Sequence, residues 1–159
     1  MTPEHDIALL RRTIRIAEQA RADGNHPFGA LLADASGAVL LEAGNQFAAR
    51  RGPGHAETEL AREAVLMFDP EALARTTLYT SVEPCAMCAG TTYWAGIGAL
   101  VYGVSEKRLS QLTGDDEENL TMDMPCRMVF DAGRRRVEVR GPFPELEAEI
   151  VASHEGFWK

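Results

Sequence analysis

The sequence predicts an α/β domain in which helices cover both faces of a mixed central sheet, a three-layer α/β/α sandwich. Segments rich in β-branched and apolar residues alternate along the chain with segments of helical periodicity. The chain has 159 residues, 45% of them apolar, which is the size of one domain with one core of ordinary proportions. We therefore expect a single domain over residues 1–159.

The first elements are a helix and a hairpin. Apolar residues recur at steps of three or four between Ile7 and Ala17, which predicts an amphipathic helix near 5–22 that Gly24 ends. The segments FGALLAD and VLLEAGN are separated by ASG and predict two strands joined by a short turn, over roughly 28–45. The helix should cover one face of the sheet to which these strands belong.

The middle of the chain alternates helices and strands. After Pro53, HAETELAREAVLMF has helical periodicity, and TTLYTSV at 76–82 has the composition of a strand. CAMCAGTTYWAG is typical of a helix, GALVYGV at 97–103 of a buried strand, and 105–112 of another helix. This alternation favours parallel pairing of the strands.

The last part contains a loop of functional length. TGDDEENLTMDMP at 113–125 is polar and predicts an irregular loop. RMVF and RRVEVRG then flank a DAG turn, and PELEAEIVASHEGFW is expected to be helical. These patterns leave the strand order open.

Charge and N-terminal composition limit the function classes. The formal net charge of −8 makes the surface repel phosphate backbones on average, which disfavours a nucleic-acid partner unless a local basic patch exists. MTPEHDIALLRRTIRIAEQA has no uninterrupted apolar stretch, so we expect neither a signal peptide nor a membrane span. The expected location is the cytoplasm.

Two segments carry residues that suit a metal ion. His55-Ala56-Glu57 stands at the start of one predicted helix, and Pro84-Cys85-Ala86-Met87-Cys88 stands at the start of another. Cysteines at i and i+3 lie on one helix face, and a helix N-terminus favours thiolates. Two thiolates and an imidazole leave the fourth position of a tetrahedral Zn2+ open, as in catalytic sites, so we expect one zinc per chain.

Glu57 supplies what the metal ligands lack. It stands two residues from His55, so on a helix its side chain points in another direction, which favours proton transfer over ligation. Water activated by the zinc would attack an amino-bearing ring carbon, while Glu57 passes a proton to a ring nitrogen and then to departing ammonia. The pattern predicts a hydrolytic deaminase.

These residues resemble a known family. HAE followed by EPCAMC is similar to the signature of the zinc-dependent cytidine deaminase superfamily. The resemblance runs from PFGALL through GN, HAE, LYTSVEPCAMC and YWAGI to LVYGV, about half of the chain. It is closest to the nucleobase and tRNA-adenosine branch, and especially to bacterial guanine deaminases, whose fold is the one predicted above.

The resemblance also implies substrate contacts. In that branch, the positions of Asn45 and Ala56 contact the base, and the aromatic residues of PFGA and YWA make Phe28 and Trp94 candidates for the pocket wall. Gly114-Asp115-Asp116 partly matches a purine-binding loop but lacks its aromatic residue. The family's C-terminal segment crosses to a partner subunit, which makes Phe157 or Trp158 a candidate lid in a homodimer with exchanged C-termini.

Each of these residues also has a structural interpretation. Asn45 can cap a turn, Trp94 can belong to the core, and Asp115 and Asp116 can be solvated loop residues. Phe157 and Trp158 can pack on their own domain. A structural zinc site is the alternative for the metal, with Cys126, His26 or His154 as fourth ligand, but it leaves Glu57 without a role. Redox exchange by the cysteine pair is a further alternative, but the sequence lacks the residues expected around a redox pair.

The leading hypothesis is deamination of a free nucleobase or related aminated heterocycle, with guanine as first substrate. Cytosine, triazine or pterin deamination are alternatives, as is tRNA adenosine deamination. The last requires a basic surface for RNA, whereas the tail from Pro142 carries Glu145, Glu147, Glu149 and Glu155 against Lys159. Arg134, Arg135, Arg136 and Arg140 could compensate. A catalytically silent zinc-binding module is the third class, and the presence of Glu57 argues against it.

Overall fold

The computed structural model describes residues 2–159 and contains a five-stranded sheet. The strand order is β2-β1-β3-β4-β5. β1 pairs antiparallel with both β2 and β3, whereas β3, β4 and β5 are mutually parallel. The strands are β1 (Gly29–Ala33), β2 (Val39–Gly44), β3 (Thr77–Val82), β4 (Ala99–Val104) and β5 (Glu138–Arg140).

Helices fill the connections between the strands and both ends of the chain. A short 3-10 turn, Pro144–Leu146, leads into the last helix. The helices are α1 (Pro3–Ala22), α2 (Phe47–Arg50), α3 (Ala56–Met67), α4 (Pro70–Leu73), α5 (Ala86–Ala95), α6 (Glu106–Thr113), α7 (Cys126–Asp131) and α8 (Glu147–His154).

Each face of the sheet has its own apolar core. On one face α1, α6 and α8 pack against alternate strand residues such as Leu31, Tyr79 and Val101. On the other face α3, α5 and α7 pack against their neighbours in the strands, such as Leu32 and Leu100. Side chains on a strand alternate between faces, so a central strand covered on both sides is apolar throughout. The predicted α/β/α sandwich is confirmed.

Local sequence signals account for the helix ends. Thr2 caps α1 by accepting a hydrogen bond from the backbone of His5 at 3.2 Å, and Pro3 occupies the first position of this helix. Gly96 ends α5 in the left-handed conformation with φ 85°, which a residue without a Cβ adopts at little cost.

Some elements differ from the sequence prediction. In the prediction RMVF and RRVEVRG flank a turn, whereas in the structure RMVF lies in the helix α7, whose Phe130 packs in the core. Of RRVEVRG, Glu138–Arg140 forms a strand. α2 and α4 are not in the prediction, because four residues are too few to show a helical period.

A buried ion pair fastens the N-terminal helix to the edge of the sheet. Asp6 on α1 is buried and accepts hydrogen bonds from Arg140 at 2.8 Å and from the Tyr79 hydroxyl at 2.7 Å. The three side chains connect α1, β3 and β5. This network satisfies a charge that would otherwise be costly to bury.

Within residues 2–159, the helices are too short or too polar for a membrane span.

Candidate active site

His55 is held at the start of α3. Its backbone is extended, with φ −81° and ψ 143°, and its carbonyl accepts the hydrogen bond of Glu59, which opens the helix. The imidazole makes no capping hydrogen bond. The backbone therefore fixes the position of the His55 side chain, and its ring nitrogen atoms are available to bind a metal ion.

Cys85 stands at the start of α5 in the same capping position, and Cys88 follows in the first turn. Nδ1 of His55 lies 3.4 Å from Sγ of Cys85 and 3.4 Å from Sγ of Cys88. The N-termini of two packed helices thus bring an imidazole and two thiols together. The partial positive charge of a helix N-terminus favours the thiolate form that binds metals.

The three side chains fit a zinc ion. Their ligand atoms all lie within 4.8 Å of one another. Hydrogen bonding to Cys88, assisted by His55, lowers the pKa of Cys85 to about 4 although burial opposes this. One nitrogen and two sulfur ligands form the donor set of a zinc site that keeps one position open. Thr58 donates a hydrogen bond to Sγ of Cys88 at 3.1 Å, which orients that ligand.

A fourth protein ligand is absent from the cluster as far as residues 2–159 show. The sequence alternatives are engaged elsewhere. His26 pairs with Glu118 at 2.8 Å, and His154 accepts a hydrogen bond from the indole of Trp158 at 2.9 Å. Cys126, the first residue of α7, is buried in the core. This arrangement suits an open zinc site better than a closed structural one.

Glu57 lies beside the cluster on the first turn of α3. Its carboxyl is buried, with 6% of the residue exposed, and it lines the main cavity. Burial raises the pKa of Glu57 to about 7, although the neighbouring His55 favours the ionised form. A carboxyl group that exchanges its proton near neutral pH can act as both base and acid.

The cavity next to these residues has a volume of about 270 Å3. Its wall includes His55, Cys85 and Phe28, together with Leu109 and the irregular segment 118–122. The predicted loop at 113–125 therefore supplies a wall of the cavity, as Glu118, Asn119, Leu120, Thr121 and Met122.

Two further carboxyl groups line the cavity and were missed in the sequence. Glu83 directly precedes Pro84 and accepts hydrogen bonds from the backbone N–H of Glu106 at 3.0 Å and of Cys126 at 2.8 Å. Glu106 is 4% exposed, and burial raises its pKa to about 8. In the sequence, Ser105 followed by Glu106 has the pattern of an ordinary helix start, which hides its position in the cavity.

The structure brings some of the expected substrate contacts to this region. Phe28 lines the cavity. Ala56 is buried as the first residue of α3, where a backbone N–H has no partner within the helix. Asn45 is buried, but its Oδ1 accepts hydrogen bonds from the backbone of His26 at 3.2 Å and of Phe47 at 2.8 Å. Asn45 thus anchors the turn after β2, the structural alternative for this residue.

Other expected contacts lie away from the cavity. Trp94 is 85% exposed, because it stands nine residues beyond Cys85, about 13 Å along α5. Asp115 is exposed. Asp116 accepts hydrogen bonds from the backbone of Glu118 at 2.9 Å and of Lys159 at 2.8 Å. Asp116 thus holds the loop and the chain end, and neither aspartate lines the cavity.

The C-terminal aromatic residues pack on their own chain. The ring centroid of Phe157 lies 5.6 Å from that of His26, and the Trp158 centroid lies 6.0 Å from that of Phe28. Trp158 therefore supports Phe28 from behind, and neither terminal aromatic lines the cavity. The crossing of this segment to a partner subunit stays a prediction.

The fold and the cluster define a class of protein: an α/β/α domain with a zinc site between two helix N-termini and a buried glutamate beside it. Residues 3–104 match the sequence model of the cytidine and deoxycytidylate deaminase zinc-binding region. The chain belongs to this family, which is one of deaminases, and the resemblance seen in its motifs is confirmed.

The relatives of this chain are named for different substrates. The chain is 37% identical to a probable cytosine deaminase of Schizosaccharomyces pombe over 98% of this chain and 93% of that protein. It is 34% identical to a tRNA-specific adenosine deaminase of Haemophilus influenzae, over 65% of this chain and 60% of that protein.

A solved structure, the guanine deaminase from Nitrosomonas europaea, superposes with a TM-score of 0.75 at 22% identity. The superposition covers 96% of this chain and 82% of that chain. At this identity the similarity concerns the fold, and the family membership rests on the sequence matches.

Proposed function

We propose that the chain catalyses the hydrolytic deamination of a free nucleobase or a related aminated heterocycle, with guanine and cytosine as the first substrates to test. The observation that carries this proposal is the position of Glu57. Its buried carboxyl lies beside the open zinc cluster and lines a cavity of about 270 Å3. A free base fits a cavity of this kind.

His55, Cys85 and Cys88 would hold the zinc. When bound, zinc acts as a Lewis acid that makes a water molecule a stronger nucleophile at neutral pH. The carboxyl of Glu57 removes one proton from the attacking water and passes it to a ring nitrogen. It then takes the second proton from the hydroxyl group added to the ring carbon and delivers it to the amino group, so that the carbonyl forms as ammonia leaves. A pKa near 7 suits both directions of transfer.

The walls of the cavity support a free base over a base in RNA. Glu57, Glu83, Glu106 and Glu118 line the cavity, whereas lysine and arginine are absent from its lining as described for residues 2–159. A wall without cationic side chains offers no partner to the phosphate groups that an RNA loop would bring close to the site. The net charge of −8 adds to this effect.

Two observations bear on the choice of base. Similarity to a cytosine deaminase extends over almost the whole chain. The motifs around Phe28 favour guanine, but the paired aspartates expected at a purine edge, Asp115 and Asp116, do not line the cavity. Cytosine therefore joins guanine as a first substrate.

The test is ammonia release from the zinc-loaded protein with guanine, cytosine, cytidine, adenine, aminated pterins and triazines, and an anticodon stem-loop. We expect turnover of a free base and none of the stem-loop. Glu57→Gln serves as the inactive control. Activity confined to the stem-loop would show that the substrate is RNA and overturn the proposal. Absence of activity on every compound of the panel would also reject it.

A further inference from the structure

Glu106 is a buried acid in the wall of the cavity, and the mechanism above does not use it. It is the first residue of α6, and its backbone N–H is bound by Glu83 at 3.0 Å. Its carboxyl oxygen Oε1 is buried and has no hydrogen-bond partner among residues 2–159.

An unpaired carboxyl oxygen in this place is costly. Buried polar atoms in folded proteins are nearly always hydrogen-bonded, and exceptions mark a function. Glu106 is 4% exposed, and its apolar neighbours in the wall, such as Val82 and Leu109, offer no donor. Glu106 lines the cavity, and rotation of the carboxyl group about its last side-chain bond turns Oε1 toward it, so a molecule bound there can supply the missing donor.

We propose that Glu106 selects the substrate by accepting, at Oε1, a hydrogen bond from a ring N–H of the heterocycle. The inference rests on the proposed deaminase function and adds a chemical requirement to it: the substrate presents an N–H donor on its ring. A donor at Oε1 also favours the ionised carboxylate, whose pKa burial otherwise raises. A ring that lacks the donor leaves the buried oxygen unpaired, which sites of this kind reject strongly.

The test compares each parent base with analogues in which a methyl group replaces one ring N–H. The pairs are cytosine with 1-methylcytosine, and guanine with its 1-, 7- and 9-methyl derivatives. We expect kcat/KM of the wild-type protein to fall about 10- to 100-fold for the analogue that lacks the contacted donor. Equal kcat/KM for the parent and for every methylated analogue would overturn the inference.

Variants at position 106 separate hydrogen bonding from steric effects. Glu106→Leu should lower kcat/KM for the parent base about 10- to 100-fold and change that for the methylated analogue less than threefold, so discrimination collapses. Glu106→Gln keeps an acceptor oxygen and should retain most of the discrimination. Equal losses on both substrates in Glu106→Leu would show a structural role and contradict the inference. Glu117→Leu, at an exposed position of the neighbouring loop, is the matched control.

Binding distinguishes failure of this inference from failure of the deaminase proposal. In zinc-loaded Glu57→Gln protein, calorimetry should show the parent base binding about 10- to 100-fold more tightly than its methylated analogue, and Glu106→Leu should remove the difference. If the wild-type protein releases no ammonia but this binding preference is present, the reaction is wrong and the role of Glu106 stands. If ammonia is released without the binding preference, the deaminase proposal stands and the role of Glu106 is wrong. If the protein binds none of the bases, both proposals are rejected.

Discussion

The carboxylate of Glu83 accepts a hydrogen bond from the backbone N–H of Glu106 at 3.0 Å, which joins the end of β3 to the first turn of α6. Its second oxygen accepts from the backbone N–H of Cys126 at 2.8 Å and so reaches the start of α7. Glu83 also directly precedes Pro84 and Cys85. One side chain next to a zinc ligand therefore ties the end of β3 to the first turns of α6 and α7.

Glu83→Ala should reduce stability and activity together. The substitution leaves two buried backbone N–H groups unpaired, which costs about 3 kcal/mol in the free energy of unfolding. Chemical denaturation and ammonia release measure the two effects. Glu83→Gln keeps one good acceptor and should show a smaller loss. Equal stability of Glu83→Ala and the wild-type protein would contradict this bridging role.

Replacing Glu57 by Gln should lower kcat about a thousandfold without removing the metal. The amide cannot accept and return a proton, and general acid–base groups contribute about 10²- to 10⁴-fold. Steady-state kinetics and metal analysis of the same preparation check the prediction. Turnover close to wild type in Glu57→Gln would eliminate the proton-transfer role.

Substitution of a proposed ligand should remove the zinc. Cys85→Ala, Cys88→Ala and His55→Ala each leave two of the three donors, and we expect zinc content to fall from about one per chain to a small fraction of that value. Cys126→Ala removes a buried thiol outside the cluster and is the matched control. Full zinc content in Cys85→Ala would refute the assignment.

The sequence predicts this cluster well because its geometry is local. The spacing of Cys85 and Cys88 places both thiols on one turn of a helix, and the HAE motif places His55 and Glu57 on another. Long-range pairing decides the rest. Strand order depends on which strands meet across the sheet, and the segment 114–125 has no period from which a conformation can be derived. Trp94 shows the limit of motif similarity, since it belongs to a matched motif and does not line the cavity.

Protonation of His154 should destabilise the protein in mild acid. Burial lowers the pKa of His154 to about 4, assisted by the charge of Arg21 and by His26, from 6.5 in the unfolded chain. Between pH 6.5 and 4 the unfolded state therefore binds more protons, so stability falls as the pH falls through this window. The shift corresponds to a loss of about 3 kcal/mol at the acidic end.

Urea denaturation at several pH values measures this effect. His154→Gln lacks the titrating ring and can still accept the hydrogen bond of Trp158. Its free energy of unfolding should fall less than that of the wild-type protein between pH 6.5 and 4. Parallel curves for the two proteins would show that His154 does not cause the acid sensitivity.

Asp6→Ala should destabilise the fold by about 3 kcal/mol. The substitution removes the acceptor of the Tyr79 hydroxyl and the buried partner of Arg140, which keeps only its pair with the more exposed Glu138 at 3.3 Å. Glu149→Ala breaks the exposed pair with Arg11 and should cost less than about 1 kcal/mol. Similar unfolding free energies for the two variants would contradict the importance of the buried network.

Helices and an irregular segment both contribute to the cavity wall, which has a consequence for how new activities arise. The zinc cluster stands on helices anchored in the core, whereas residues 118–122 reach the cavity from an irregular segment. Mutations in that segment can reshape the space facing the ring without moving the metal. A library randomised at Asn119, Leu120, Thr121 and Met122 should therefore yield variants with altered base preference that keep one zinc per chain, a practical starting point for directed evolution.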